Sequence, residues 1–333
     1  MTSASDESTD VVGKIIRAAG RRAVAPEATR DRVFAVASAA LEVKLSARRR
    51  QVLWRSAMVA SVALMVIGIG LAWLQNRPAM PVAISDQFIG EVAYRASVQD
   101  KWTLLIGNRR LPADSQVRTG RSGRVGLILA QGASLRLDQD TVVRLAGTTT
   151  VELLTGTVYV DSRTVGSAIN IVTPNGVARD VGTQFEVRYI DGEERIRVRE
   201  GAVLFTLGNE QQYRGRAGEQ LSVSSTGQVQ RTTVAIDDAS WDWVQLVARA
   251  PEIDNRPLSE LLDWVARETG RPIQYESAAI QALAKSTILH GSVRNLAPLA
   301  AAQTVLATTD LDSEILPDGS LLVKGRDRSD QLR

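Results

Sequence analysis

The chain has 333 residues, 44% hydrophobic and 23% charged, with 40 Lys and Arg against 37 Asp and Glu and a net charge of +3. Charges this balanced exclude a polyanion-binding role for the molecule as a whole, and the length exceeds what one core usually serves, so several parts are expected. With no cysteine and a single histidine, His290, disulfides, thiolate nucleophiles and Cys/His zinc sites are excluded; no cofactor or metal is expected.

Residues 1–53 carry ten Lys and Arg against six Asp and Glu. Val11, Val12, Ile15, Ile16 and Ala19 fall on one face of a helix. Pro26 suits the start of a second helix, whose apolar face holds Val33, Phe34, Ala37, Ala40 and Leu41. Two short helices bury too little surface to offset their chain entropy, so this piece is expected to fold against a partner. It is too small for a winged-helix DNA reader, which favours a protein over direct nucleic-acid binding.

Residues 54–74 read WRSAMVASVALMVIGIGLAWL, uncharged over the eighteen residues from Ala57 to Leu74. Trp54 and Trp73 are nineteen steps apart, and a helix of that length spans roughly 30 Å, the thickness of a bilayer's hydrocarbon core. Both tryptophans suit the interface, and Arg55 can return its guanidinium to the headgroups. Lys44, Arg48, Arg49, Arg50 and Arg55 precede the apolar run and Arg77 alone follows it. The positive-inside rule therefore predicts a single-pass anchor with the N-terminus in the cytoplasm and the C-terminal part exported. A cleaved signal peptide would begin much nearer the N-terminus.

Residues 85–207 change to period two. Val125, Leu127 and Leu129 alternate with other residues, as do Leu135 and Leu137, Val151 and Leu153, Val158 and Val160, Ile169 and Ile171, Phe185 and Val187, Ile196 and Val198, and Val203 and Phe205. Gly123, Gly132, Gly147, Gly156, Gly176, Gly192 and Gly201 punctuate these runs. The pattern predicts an all-β domain, as a sandwich, jelly roll or solenoid. Residues 208–250 are expected to connect it to a C-terminal domain.

The segments VRTGRSGRVGLILAQGASLRLDQDTVVRL (117–145), VELLTGTVYVD (151–161), VTPNGVARDVGTQFEVR (172–188) and VREGAVLF (198–205) together resemble the FecR domain. That family's members are single-pass inner-membrane regulators of extracytoplasmic-function sigma factors. The resemblance implies a periplasmic domain that meets an outer-membrane TonB-dependent receptor, often in iron uptake, and a cytoplasmic segment that holds or activates the sigma factor. On that reading Val11, Ile15, Ile16, Val33 and Phe34 are candidates for the sigma-factor contact. Many members carry a tryptophan-rich N-terminal segment, and residues 1–53 have no tryptophan.

Residues 251–325 predict a small α+β module. Leu258, Leu261, Leu262, Val265 and Ala266 make a helical stripe that Pro257 begins and Gly270 ends. A strand near 273–275, a strand near 287–290, a helix over 298–308 and a hairpin turned at 317–319 come after it. The module resembles the short N-terminal fold of secretins and TonB-dependent receptors, and Leu258, Leu261 and Trp264 are its candidates for contact with a receptor.

Of the chemistry-bearing residues, Asp138 and Asp140 read as solvated turn residues and His290 as structural. Gly182-Thr183 is the sharper pair: a threonine hydroxyl can attack the carbonyl before it in an N-to-O acyl shift that precedes self-cleavage. The rival reading of Gly182 is a simple bulge before the strand of Phe185 and Val187. The resulting expectation is a non-enzymatic transmembrane signal transducer, an anti-sigma factor or sigma regulator. The alternative is an envelope glycan- or polymer-binding module anchored to the inner membrane with no transcriptional role.

Overall fold

The computed structural model describes residues 13–15, 17–18, 20, 26–36, 65, 68, 80–162, 166, 168–180 and 182–326. The chain divides into two compact units, Met1–Pro78 and Ala79–Arg333.

In the first unit, residues 13–15, 17–18 and 27–36 are helical. Ile15, Val33 and Phe34 are exposed there, while Val11 and Ile16 lie outside the described residues. Trp54, Arg55 and Trp73 lie outside them too. Within 54–74 only Met65 and Gly68 are described, both helical. Among the described residues no helix is long and apolar enough to cross a membrane.

The second unit opens with seventeen strands among the described residues: β1 (Pro81–Ile89), β2 (Val92–Arg95), β3 (Thr103–Leu104), β4 (Arg110–Pro112), β5 (Gln116–Thr119), β6 (Arg124–Leu129), β7 (Ser134–Leu137), β8 (Val142–Arg144), β9 (Thr150–Asp161), β10 (Asn170–Val172), β11 (Gly176–Asp180), β12 (Gln184–Ile190), β13 (Glu193–Glu200), β14 (Ala202–Leu207), β15 (Gln212–Arg216), β16 (Glu219–Val223) and β17 (Val229–Thr233). They form two layers. The first runs β4-β1-β6-β7-β9-β12-β13-β16-β17. The second runs β3-β2-β5-β8-β9-β10-β11-β14-β15.

Strand β9 belongs to both layers. Its first half pairs with β8 and β10, its second with β7 and β12. The transfer takes place at Gly156, whose φ is +101° and whose added Cβ would lie 2.4 Å from Thr141 Oγ1 and 2.5 Å from its Cα. Only a residue without a side chain fits this bend. Gly156 therefore redirects one strand, and does not separate two as the spacing of glycines suggests.

The alternating apolar residues of the period-two runs all point between the layers. Every one of them is buried in a single core, which also takes Val117, Val143 and Leu221. The sheets continue through β15, β16 and β17 to Thr233, so the β-domain takes in much of the stretch expected to be a connector. Those strands sit at the far end of each layer, and β17 in particular is polar and largely exposed. Apolar alternation does not mark such an edge strand.

The C-terminal module packs a second core of its own. After a short helix α1 (Asp242–Gln245) come α2 (Leu258–Thr269), α3 (Ala278–Ser286) and α4 (Pro298–Leu306). Strands β19 (Ile273–Tyr275), β22 (Leu321–Gly325) and β21 (Leu311–Ile315) form one sheet in that order. β18 (Arg256–Pro257) pairs with β20 (Ile288–Leu289). Gly270 closes α2 in the left-handed conformation with φ 72°, as an αL cap requires. Helix α3, which the apolar pattern does not announce, begins at Ser277, whose Oγ accepts from the Ile280 N–H.

Candidate functional site

The Gly182-Thr183 pair lies at the turn from β11 into β12. Gly182 has φ +72°, a left-handed conformation natural to glycine. Thr183 is fully buried. Its hydroxyl donates to the Asp180 carboxylate, and its backbone N–H donates to Ser162 Oγ at 3.1 Å. The Ser162 N–H returns to the Thr183 carbonyl at 3.0 Å. Asp180 is itself buried, with its second carboxylate oxygen lacking a hydrogen-bond partner.

Gly201 presses against this turn from the β13–β14 hairpin. A Cβ there would fall 2.7 Å from Thr183 Cγ2 and 2.8 Å from the Gly182 carbonyl oxygen. A hydroxyl, a carboxylate able to accept its proton and a second hydroxyl beside the peptide nitrogen are thus brought together. Sequence reasoning finds the pair but not Asp180 and Ser162, which stand two and twenty residues before Gly182 and carry no spacing that marks them as its partners.

The second constructed region is the seam between the β-domain and the C-terminal module. Register sets a row across the outer face of the first layer, in which Arg136 lies opposite Tyr159, Tyr159 opposite Glu186, and Glu186 opposite Arg197. Residues 235–250 cover it. Trp241 meets Tyr159 edge-on with ring centroids 6.1 Å apart, and the Arg197 guanidinium lies 4.3 Å from the Trp241 ring centroid. Arg197 Nη2 donates to Glu186 Oε2 at 2.7 Å, and Trp243 Nε1 donates to the same oxygen at 3.2 Å. Gly126 leaves room for the covering segment, since its Cβ would lie 2.7 Å from the Val247 carbonyl oxygen.

Helix α2 completes the seam. Glu268 forms two hydrogen bonds with Arg136, at 2.6 and 3.1 Å, and both side chains are buried. Burial alone would raise the Glu268 carboxyl, but the charge and hydrogen bonds of Arg136 outweigh it and hold Glu268 below its ordinary value. Burial raises the Tyr159 phenol well above its usual range. Arg199 ties the same helix end, with Nη1 donating to the Glu268 carbonyl at 2.9 Å and Nε to the Ile236 carbonyl at 2.8 Å. A cleft of about 900 Å³ opens beside the seam. Its charged walls mix Arg199, Arg267 and Arg271 with Glu252, Glu260 and Asp263, which sets up no single-sign field for a small ion.

The expected receptor contacts fall elsewhere. Leu258, Leu261 and Trp264 are all buried in the core of the C-terminal module, and Trp264 Nε1 donates to the Arg249 carbonyl. The apolar stripe of α2 faces inward, so these side chains pack the module, and of the three only Trp264 reaches the wall of the cleft. Asp138 is ion-paired with Arg124 at 2.7 Å. Asp140 occupies a left-handed turn position, φ 50°, and His290 is exposed, 3.5 Å from Asp254. Among the described residues no group of three His, Cys, Asp or Glu side chains is placed to hold a metal.

Comparison with known proteins agrees with the β-domain reading. No curated protein matches the chain. Two crystal structures of a protein from Parabacteroides distasonis ATCC 8503, provisionally described as an anti-sigma factor and solved at 1.65 and 2.50 Å, are 17% identical. Each alignment covers 64% of this chain and 99% of the other, with a TM-score of 0.35, too low to establish a common fold. Residues 115–204, which run from the start of β5 into β14 and include Gly156, Asp180 and Thr183, match the family model described as FecR protein.

Proposed function

We propose that the chain is a transmembrane regulator that relays an event outside the inner membrane to an extracytoplasmic-function sigma factor in the cytoplasm. The FecR match over residues 115–204 carries this reading. The uncharged run from Ala57 to Leu74, with its basic flank on the N-terminal side, supports a single-pass anchor with Ala79–Arg333 in the periplasm. The exposed apolar side chains Ile15, Val33 and Phe34 suit a helical segment that gains its partner by binding. The C-terminal module, joined to the β-domain by the Arg136–Glu268 seam, presents the pair as one body to an outer-membrane TonB-dependent receptor.

The Asp180, Thr183 and Ser162 cluster adds a processing step to the proposal. Thr183 Oγ attacks the Gly182 carbonyl carbon as its proton passes to Asp180, and the Gly182–Thr183 C–N bond breaks as the nitrogen takes a proton. Water then hydrolyses the ester and leaves two chains. The two halves of the β-domain would remain joined through the shared core.

The experiment is a pair of alkaline phosphatase fusions to the full chain in a Gram-negative host, one at the N-terminus and one at the C-terminus. The reading expects activity from the C-terminal fusion only. Activity from the N-terminal fusion alone would reject it.

A further inference from the structure

The two layers share a rim at the end where the chain enters the β-domain. Strand β3 closes the second layer by pairing with β2, and β4 closes the first by pairing with β1. Residues 103–112 therefore wrap the entry edge of both sheets. Along this wrap Leu105 is buried, with its N–H on the Val92 carbonyl, while its neighbours turn outward. Leu104 is 57% exposed and Ile106 76% exposed.

Such exposure at a loop tip ordinarily collapses onto the nearest apolar surface, and here the backbone prevents it. The buried Ser85 donates its hydroxyl to the Gly107 carbonyl at 2.8 Å and accepts from the Arg109 N–H at 2.8 Å. The Ser85 N–H donates to the Arg109 carbonyl at 2.9 Å. These bonds pin the turn and hold Ile106 away from the sheet. Val98, 53% exposed, and Met80, 86% exposed, are further bare apolar side chains on the segments that lead into this edge.

The charges beside these side chains are predominantly positive. Between residues 95 and 110 stand Arg95, Lys101, Arg109 and Arg110 against Asp100 alone. Lys101, Arg109 and Arg110 are exposed. The Arg109 guanidinium is held over the Tyr94 ring at 4.2 Å, and Trp102 lies between the guanidiniums of Arg95 and Arg118 at 4.7 and 4.6 Å. Protruding aliphatics ringed by cations, with an aromatic among them, match the chemistry of an anionic bilayer surface. A second copy of the chain would bring like charges together, and two-residue β3 is too short to pair strands across an interface.

On the proposed single-pass topology a bilayer lies nearby. Seven residue steps separate Leu74, the end of the apolar run, from Pro81, the first residue of β1, and at full extension they reach about 25 Å. We infer that the rim formed by residues 98–110 docks on the outer leaflet of the same membrane, with Leu104 and Ile106 entering the interface and Lys101, Arg109 and Arg110 on anionic phospholipid headgroups. The inference rests on the proposed single-pass topology.

Flotation of Ala79–Arg333, a compact unit with its own closed cores, with vesicles of 30% phosphatidylglycerol in phosphatidylcholine tests this. Vesicles of phosphatidylcholine alone are the control. Binding to the anionic vesicles is expected to fall roughly tenfold or more in Lys101→Glu/Arg110→Glu, and as strongly in Ile106→Asp, with unfolding midpoints unchanged because these side chains are exposed. Equal recovery of wild type and Ile106→Asp with the vesicles, or no flotation at all, would overturn the inference. An Ile106-dependent dimer in the absence of vesicles would overturn it in favour of a second copy. The phosphatase fusions report on topology independently, so a failure of docking and a failure of the single-pass reading give different results.

Discussion

Arg136 on β7 and Glu268 on α2 are 132 residues apart in the chain, yet Nη1 of the first lies 2.6 Å from Oε2 of the second, with both side chains out of water. Removing one member leaves the other charged and buried. Glu268→Gln or Arg136→Met alone is expected to destabilise Ala79–Arg333 by about 3 to 5 kcal/mol, read as a shift of the urea midpoint. The double variant Arg136→Met/Glu268→Leu should recover most of that loss. A double variant no more stable than the worse single one would contradict this account of the seam.

Gly156→Ala tests the shared strand. The substitution demands an alanine at φ +101° and drives its Cβ into Thr141, at an expected cost of about 3 kcal/mol or more. Gly227 also has positive φ, at +79°, but nothing stands within 4 Å of its Cβ. Gly227→Ala should therefore cost clearly less in the same denaturation series, and equal losses would remove the steric argument.

Glu194 on β13 predicts a pH effect. It is buried, and its Oε2 accepts from the Thr173 hydroxyl at 2.8 Å while Oε1 lacks a hydrogen-bond partner. Burial pushes its carboxyl up to about 7, despite hydrogen bonds from Thr173 and Asn175 that pull it down. Between the ordinary carboxyl value and 7 the folded state holds the extra proton, so stability falls as pH rises through this window, by up to about 3 kcal/mol. Glu194→Gln should flatten that slope. Glu268 acts in the opposite sense and lower on the scale, since its depressed carboxyl contributes stability that is lost as pH falls below the ordinary range. Unfolding at pH 5.0, 6.0, 7.0 and 8.0 reads the Glu194 slope, and extending the series below the ordinary carboxyl range reads the Glu268 loss.

The processing step predicts two fragments that meet between Gly182 and Thr183. Intact mass of the purified chain should show them, Thr183→Ala should leave one species, and Asp180→Asn should slow the conversion by about tenfold or more. A single full-length mass for wild type and Thr183→Ala alike would remove the step.

The apolar interior was legible because period two is a local signal: Val125, Leu127, Phe185 and Val203 announce which face of each strand is buried. The seam was not. Arg136, Glu186 and Arg197 stand on the polar phase of the period-two runs, and the docking of Trp241 and Glu268 from far along the chain buries them. Leu258, Leu261 and Trp264 were visible as a stripe, but a stripe alone does not say whether its partner is the same chain or another. Gln212–Arg216 and Val229–Thr233 were missed because edge strands bury little. For the candidate cleavage site, Gly182-Thr183 stood out by residue type, whereas Asp180 and Ser162 join it only through the fold.

The most direct test of the regulator reading is capture of the extracytoplasmic-function sigma factors of the same organism on the full-length chain in detergent, with Ile15→Asp/Phe34→Asp as the paired variant. The account predicts retention by wild type and a loss of roughly tenfold or more in the variant, whose substitutions sit on exposed helical positions. Failure of the wild-type chain to retain any of these sigma factors, or equal retention by both, would contradict it.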